Sequence, residues 1–285
     1  MPARAWAVCL GLIVLLLVAV VGLDAWQARQ GERSILGIHW SRRAGGDGLD
    51  RVRGAPLGSV PTDPGVARLA VIVEGFGSRQ DLVDQVAGIE RALTIAVLPE
   101  LPLSVRTARE AMRAGFEVLV QVPMEPYRYP ELDPGPGALL VSMSPQEVRS
   151  RVARYLAAIP SAVGVTGYMG SRLVEDPARV RAMLEPVRAR RMVFIDHLAS
   201  SLSVAGDSAR ALGIPSARRH VRVDHRDGEA EARKRFEAAG AAAQRRGEAV
   251  AVVSGHPLTI GLLREYIRRW EGHGIRIVRI SQLTR

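Results

Sequence analysis

Seven polar positions in this 285-residue chain share one placement: each follows a short apolar run. They are Glu74, Glu100, the Gln121–Glu125 segment, Tyr168, Asp196–His197, Asp224–His225 and His256. Carboxylates and imidazoles gathered from separate strands are the ligand types of a hard or borderline divalent metal. They also suit a metal-activated water with a carboxylate as its base. Taken singly, each has a plainer use. An Asp after a strand commonly caps a helix or forms a turn, and a lone His is more often a hydrogen-bonded structural residue. Other chemistries lack their residues. There is no GxSxG, HExxH, P-loop or GxGxxG pattern, and the single cysteine, Cys9, lies in an N-terminal apolar segment.

The elements that must position these groups alternate in kind. Apolar, β-rich runs occur at 68–73, 93–98, 116–122, 162–167, 192–196, 220–225, 249–254 and 275–280. Amphipathic stretches such as SPQEVRSRVARYLAAI and TIGLLREYIRRW separate most of them. Strand–helix alternation predicts a mostly parallel sheet with helices outside it. Seven or eight repeats fit a (β/α)7–8 barrel or a distorted relative, with an open doubly wound sheet as the alternative. In β/α barrels the C-terminal strand ends form the active-site rim, and the polar positions fall there.

The N-terminus reads differently. Trp6–Leu23 is uncharged over 18 residues, about 27 Å as a helix and close to a bilayer's hydrocarbon core. No clean small-x-small cleavage site follows, which predicts an uncleaved signal anchor over 1–23. Residues 24–66 are rich in Gly, Arg, Asp and Pro and read as a flexible linker, leaving 67–285 as the folded domain. Arg29, Arg33, Arg42 and Arg43 follow the span, so the positive-inside rule does not favour an exported domain. The formal net charge is +10. Its Arg residues are scattered among Glu and Asp on helical segments, a pattern of solvated helix faces rather than a nucleic-acid surface, and no nucleic-acid partner is expected.

The ordered motifs from 67 onward resemble the divergent polysaccharide deacetylases, relatives of the NodB-type carbohydrate esterases. The most specific stretch is VPMEPYRYPELDPGPGALLVSMS (122–144), followed by GYMGSR (167–172), VFID (193–196), VDH (223–225) and SGHP (254–257). The resemblance implies a distorted barrel of the deacetylase type and an envelope protein anchored in the bacterial inner membrane, single-pass, with its domain in the periplasm. It implies a glycan or peptidoglycan-like polysaccharide as partner. The reaction it implies is hydrolysis of N-acetyl groups with a divalent metal, zinc first. Such enzymes hold the metal with an Asp and two His, while a second carboxylate and a further imidazole move protons.

This chain departs from that pattern. Glu74–Gly75 stands where the family has an aspartate pair, Gln121 where many members have His, and Gly167–Tyr168 where many have Asn–His. The expected catalytic and metal-binding set is therefore Glu74, Asp196 and His256, with Asp224 and His197 as alternate ligands. Gln121, Glu125, Tyr127, Tyr168 and Arg172 are expected substrate contacts. Two functions stay open: a deacetylase with a rebuilt site, or a degenerate relative that binds glycan or an envelope partner.

Overall fold

The computed structural model describes residues 65–79 and 81–285. The expected anchor and all but the last two residues of the linker lie outside them. Among the described residues no helix is long and apolar enough to cross a membrane.

Nine strands form one all-parallel sheet. They are β1 (Ala67–Phe76), β2 (Thr94–Val97), β3 (Glu117–Met124), β4 (Gly164–Met169), β5 (Val193–Asp196), β6 (Ser216–Arg218), β7 (Val221–Val223), β8 (Glu248–Ser254) and β9 (Ile275–Val278). The order is β6-β5-β4-β3-β2-β1-β8-β7. One edge of β1 is shared: β9 pairs with Ala67–Ala70, and β2 takes over from Ile72 onward. Helices α1 (Leu82–Ala87), α2 (Ser104–Arg113), α3 (Pro145–Ala158), α4 (Pro177–Ala189), α5 (Ala205–Ala211), α6 (Glu229–Arg246) and α7 (Pro257–Gly272) fill the connections.

Both faces of the sheet are buried, and side chains alternate between them with period two. The inner face carries Ala70, Ile72, Ala96, Leu119, Val193, Ile195, Val250 and Val252. The outer face carries Val71, Val73, Val118, Val120, Phe194, Ala251 and Val253, packed against the apolar stripes of the helices. The chain end seals one mouth. After β9 the turn Ile280–Leu283 puts Ile280 and Leu283 into the inner cluster. Ser281 donates to Glu117 at the start of β3, and Arg285 exchanges backbone hydrogen bonds with Ser216 at the start of β6. The N-terminal mouth is thus plugged, and the groups that follow the strands surround the other mouth.

The sheet curves into a half-barrel, the open form of the distorted (β/α)7–8 barrel expected from the sequence. Its edges, β6 and β7, are consecutive in the chain, with only Arg219 and His220 between them. Side-by-side parallel pairing needs a crossover of a dozen or more residues, which two residues cannot provide. Arg219 instead stays tied to β5, donating its N–H to the carbonyl of Asp196 (2.9 Å), while His220 bonds to Val250 of β8 in both directions (2.8 and 3.0 Å). The chain therefore steps from one edge of the sheet to the other.

Candidate functional site

Glu74 continues the inward series Ala70 and Ile72, so its carboxylate enters the mouth of the half-barrel and is buried there. Gln121 does the same from β3. Gln121 Nε2 donates to Glu74 Oε2 (2.9 Å), and its Oε1 accepts from the backbone N–H of Gly75 (3.0 Å). Arg222 Nη2, from the middle of β7, donates to Glu74 Oε1 (2.8 Å). Both carboxylate oxygens are thereby engaged. Burial pushes the Glu74 pKa up, against the opposing charge of Arg222. Gly75 has φ of +91°, in the region that favours glycine. A second carboxylate at 75 would thus carry backbone strain in this conformation.

Arg222 Nη2 also lies 3.1 Å from Asp224 Oδ2. Asp224 caps the turn His225–Asp227, accepting from the N–H of Arg226 (3.1 Å), and pairs with that residue's guanidinium (2.7 Å). Burial alone would raise its pKa. The bonds from Arg226 and the charge of Arg222 outweigh burial and hold it at about 2. His225 contacts the Ser254 hydroxyl through Nδ1 (3.1 Å) and stacks on His256, with ring centroids 4.0 Å apart and planes 8° from parallel. His256 is the N-cap of α7. Its Nδ1 accepts from the N–H of Leu258 (3.3 Å), so that nitrogen carries no proton and is not free as a ligand. Half-buried Tyr168 completes the mouth, its hydroxyl pKa raised by burial and by the charge of Glu74.

Asp196 does not join them. It shares the outward face of β5 with Phe194, and a side chain on Gly206 of α5 would meet its Oδ2 at 3.0 Å. Its Oδ1 accepts from the N–H of Leu198 (3.0 Å). Oδ2 is buried without a hydrogen-bond partner and has Arg218 at 3.8 Å. The alternate ligand His197 is enclosed as well. Its Nε2 faces the carbonyl of Met169 (2.6 Å) and must donate to it, leaving a buried Nδ1 with no donor. Burial pulls the His197 pKa down to about 4. The imidazole lies over Gly167, where a Cβ would overlap both the ring and the methyl of Met124. Gly167→Ala is expected to lower stability by about 1–3 kcal/mol through overpacking, read as a shifted urea midpoint at unchanged slope.

Glu125 serves the wall of the cleft. Its two oxygens accept from the N–H of Val141 (2.7 Å) and from Arg172 Nη1 (2.8 Å), and its carbonyl accepts from the N–H groups of Arg172 and Leu173. These bonds clamp the proline-rich loop after β3 to the segment after β4. Beside the clamp lies a groove of about 510 Å³ lined by Val141, Arg172, Glu175, Asp176, Pro177 and Ala178. Tyr127 is exposed above it, its hydroxyl against Glu175.

Arg222 is the central residue that the motif reading passed over. The signal lay in HVRVDH. With Val221 and Val223 on the helix side, alternation points Arg222 inward, in register with Val252.

The family model for divergent polysaccharide deacetylases matches residues 71–284. The chain belongs to that family. Curated proteins similar to it include the uncharacterized protein YibQ of Escherichia coli K12, 28% identical over 200 residues, which are 70% of this chain and 62% of that protein. The chain thus covers less than two thirds of that relative's length. A Haemophilus influenzae Rd protein is 26% identical over 71% of each chain. A crystal structure of the uncharacterized Agrobacterium tumefaciens C58 protein ATU2773 matches with TM-score 0.73 and 27% identity, over 79% of this chain and 92% of the other.

The residues present do not fit the metal that the family resemblance implies. Among the described residues no three His, Cys, Asp or Glu side chains are grouped to hold an ion. Glu74 is committed to Arg222 and Gln121, Asp196 faces α5, and His256 caps a helix. The expected triad of Glu74, Asp196 and His256 is not assembled, because Asp196 lies on the opposite face of the sheet from Glu74. His197 as an alternate is closed in against β4.

Proposed function

We propose that this chain is a polysaccharide-binding member of its family, holding an envelope glycan at the open mouth of the half-barrel without metal-dependent deacetylation. One observation carries the reading: Glu74, the acid at the end of β1, has one oxygen on Arg222 and the other on Gln121. The clamped loop supports the binding half of the proposal. It holds a groove with an exposed tyrosine, an arginine and two carboxylates beside it, side chains that stack on or hydrogen-bond to sugars. The envelope placement rests on the apolar run 6–23 and on the family resemblance. In it the chain is a single-pass inner-membrane protein with residues 67–285 in the periplasm.

Hydrolysis of N-acetyl groups is the second reading. It draws on the raised pKa of Glu74, since a carboxylate tuned upward in a cleft suits a general base.

Co-sedimentation of the full-length chain with insoluble peptidoglycan, with and without EDTA, tests the proposal. Saturable retention that EDTA leaves unchanged, and that Tyr127→Ala with Arg172→Ala weakens at least about tenfold, is the expected result. No retention, or retention abolished by EDTA, would refute it.

A further inference from the structure

The sheet is all-parallel, so the helices run back against it and end at the plugged mouth. A helix C-terminus favours cations, and arginine recurs there. Arg113 stands in the last turn of α2, Arg188 in that of α4, and Arg245 and Arg246 in that of α6. Arg91 and Arg191 lie in the connections into β2 and β5. All six are exposed. Scattered in the sequence, they gather at one end of the fold. One helix end carries only about half a negative charge, so the paired arginines of α6 leave a surplus. The acids of this end are mostly engaged. Glu248 pairs with Arg68 (2.6 Å) and Arg285 (2.8 Å), and Glu110 with Arg106 (2.7 Å). Glu117 accepts from Ser281, and Glu90 from the N–H of Ala92 (2.9 Å). Among the described residues none of the six arginines has a carboxylate within ion-pair distance. The open mouth has the opposite sign: the first turns of four helices carry Asp84, Glu147, Asp207, Glu229 and Glu231.

The chain also enters at the basic end. Arg68, next to the first residue of β1, donates its N–H to the carbonyl of Gly247, the C-cap beside Arg245 and Arg246 (2.9 Å). By its composition the stretch 24–66 would keep this end within about 40 Å of an anchor at 6–23. An anionic leaflet attracts basic residues that come within about 8 Å of its surface at physiological salt. Resting on the single-pass membrane reading above, we propose that the plugged end of the half-barrel docks on anionic phospholipid headgroups and holds the open mouth away from the bilayer. The acidic rim of the mouth is repelled by the same headgroups, so both ends set the orientation. The apolar run that precedes the domain favours lipid over nucleic acid as the polyanion.

Energy transfer to headgroup-labelled lipid, in nanodiscs holding the full-length chain, tests this. The dye is placed at Gln244→Cys on the basic end or at Glu131→Cys on the loop after β3, each with Cys9→Ser. Adding phosphatidylglycerol to phosphatidylcholine discs is expected to raise transfer from position 244 at least about twofold, and high salt to reverse the gain. Transfer from position 131 should stay low in both lipids. Arg113→Glu, Arg191→Glu, Arg245→Glu and Arg246→Glu together should remove the gain. The same four positions changed to Gln repeat the test should that variant unfold, and the lipid and salt responses of the wild type decide without any variant. Transfer from 244 that ignores phosphatidylglycerol, or that 131 matches, overturns the proposal, as does a gain that survives in a folded variant. Duplex DNA bound more tightly than phosphatidylglycerol vesicles at equal salt also overturns it, in favour of a nucleic-acid surface. The anchor is read separately, as incorporation into discs that high salt does not reverse. A chain that fails to incorporate would be floated with phosphatidylglycerol vesicles: salt-sensitive flotation supports docking, and its absence overturns it. No glycan is present, so the outcome is separate from that of peptidoglycan retention.

Discussion

Arg222→Leu is expected to destabilise the fold by about 3 kcal/mol near neutral pH, toward the low end of the range for breaking a buried ion pair. The substitution leaves Glu74 and Asp224 facing one another with no cation between them, both carboxylates under a tenth exposed. Arg222 itself is 34% exposed, which keeps the figure below the upper limit. The sign with pH follows from Glu74. Its folded-state pKa is already above the ordinary value, and losing Arg222 raises it further. A carboxylate with a raised folded pKa loses stability as pH rises. The deficit relative to wild type should therefore shrink as pH falls toward 5. Glu74→Gln in the same chain should recover most of the loss, which a double-mutant cycle by urea unfolding reads directly. A loss under about 0.5 kcal/mol, ordinary for a surface site, would show that the bridge is not a structural centre.

The second large effect is expected from His197. Burial lowers its pKa to about 4 in the folded protein, against about 6.5 in the unfolded chain. Between those values the unfolded chain binds the extra proton, so stability rises with pH across the window. Acidification from pH 6.5 to 4 is then expected to cost up to about 3 kcal/mol. His197→Gln keeps a donor toward the Met169 carbonyl but does not titrate, and should flatten this slope. Asp224, held at about 2, adds a separate loss only below its unfolded value of about 3.9. Urea midpoints between pH 7.5 and 4 measure both variants. A wild-type slope that His197→Gln leaves unchanged would assign the acid sensitivity to another group.

The fold was legible wherever a strand was long and apolar. RLAVIV and AVAVVS announce β1 and β8, which pair along most of their lengths. Ser216–Arg218 carried no such signal, being three residues long and largely polar, and the open edge beside it was equally hidden. Closure depends on how far a connection can reach, and the two residues between β6 and β7 decide it only once β6 is known. In the site, Glu74 and Gln121 could be placed because β1 and β3 run long enough to fix which face each residue takes. Asp196 could not. It stands at the very end of a four-residue strand, and only its alternation with Phe194 sends it toward α5. His256 illustrates a second limit. His–Pro ahead of an amphipathic run is a helix start as readily as an acid–base signal, and the side chain serves as the cap.

These placements give the substituted motifs a physical sense. An amide at 121 donates to Glu74 and receives Gly75 in one side chain. Gly75 fits a backbone turn that a second aspartate would strain. Gly167 leaves room for an imidazole arriving from β5 rather than bearing a ligand of its own.

The most direct measurement of the central claim is acetate release. The full-length chain would be incubated with N-acetylated peptidoglycan and added zinc, cobalt or manganese, beside Glu74→Gln as reference. The account predicts that acetate from the wild type stays at the level of Glu74→Gln with every metal. Metal-dependent acetate release that Glu74→Gln abolishes would contradict it.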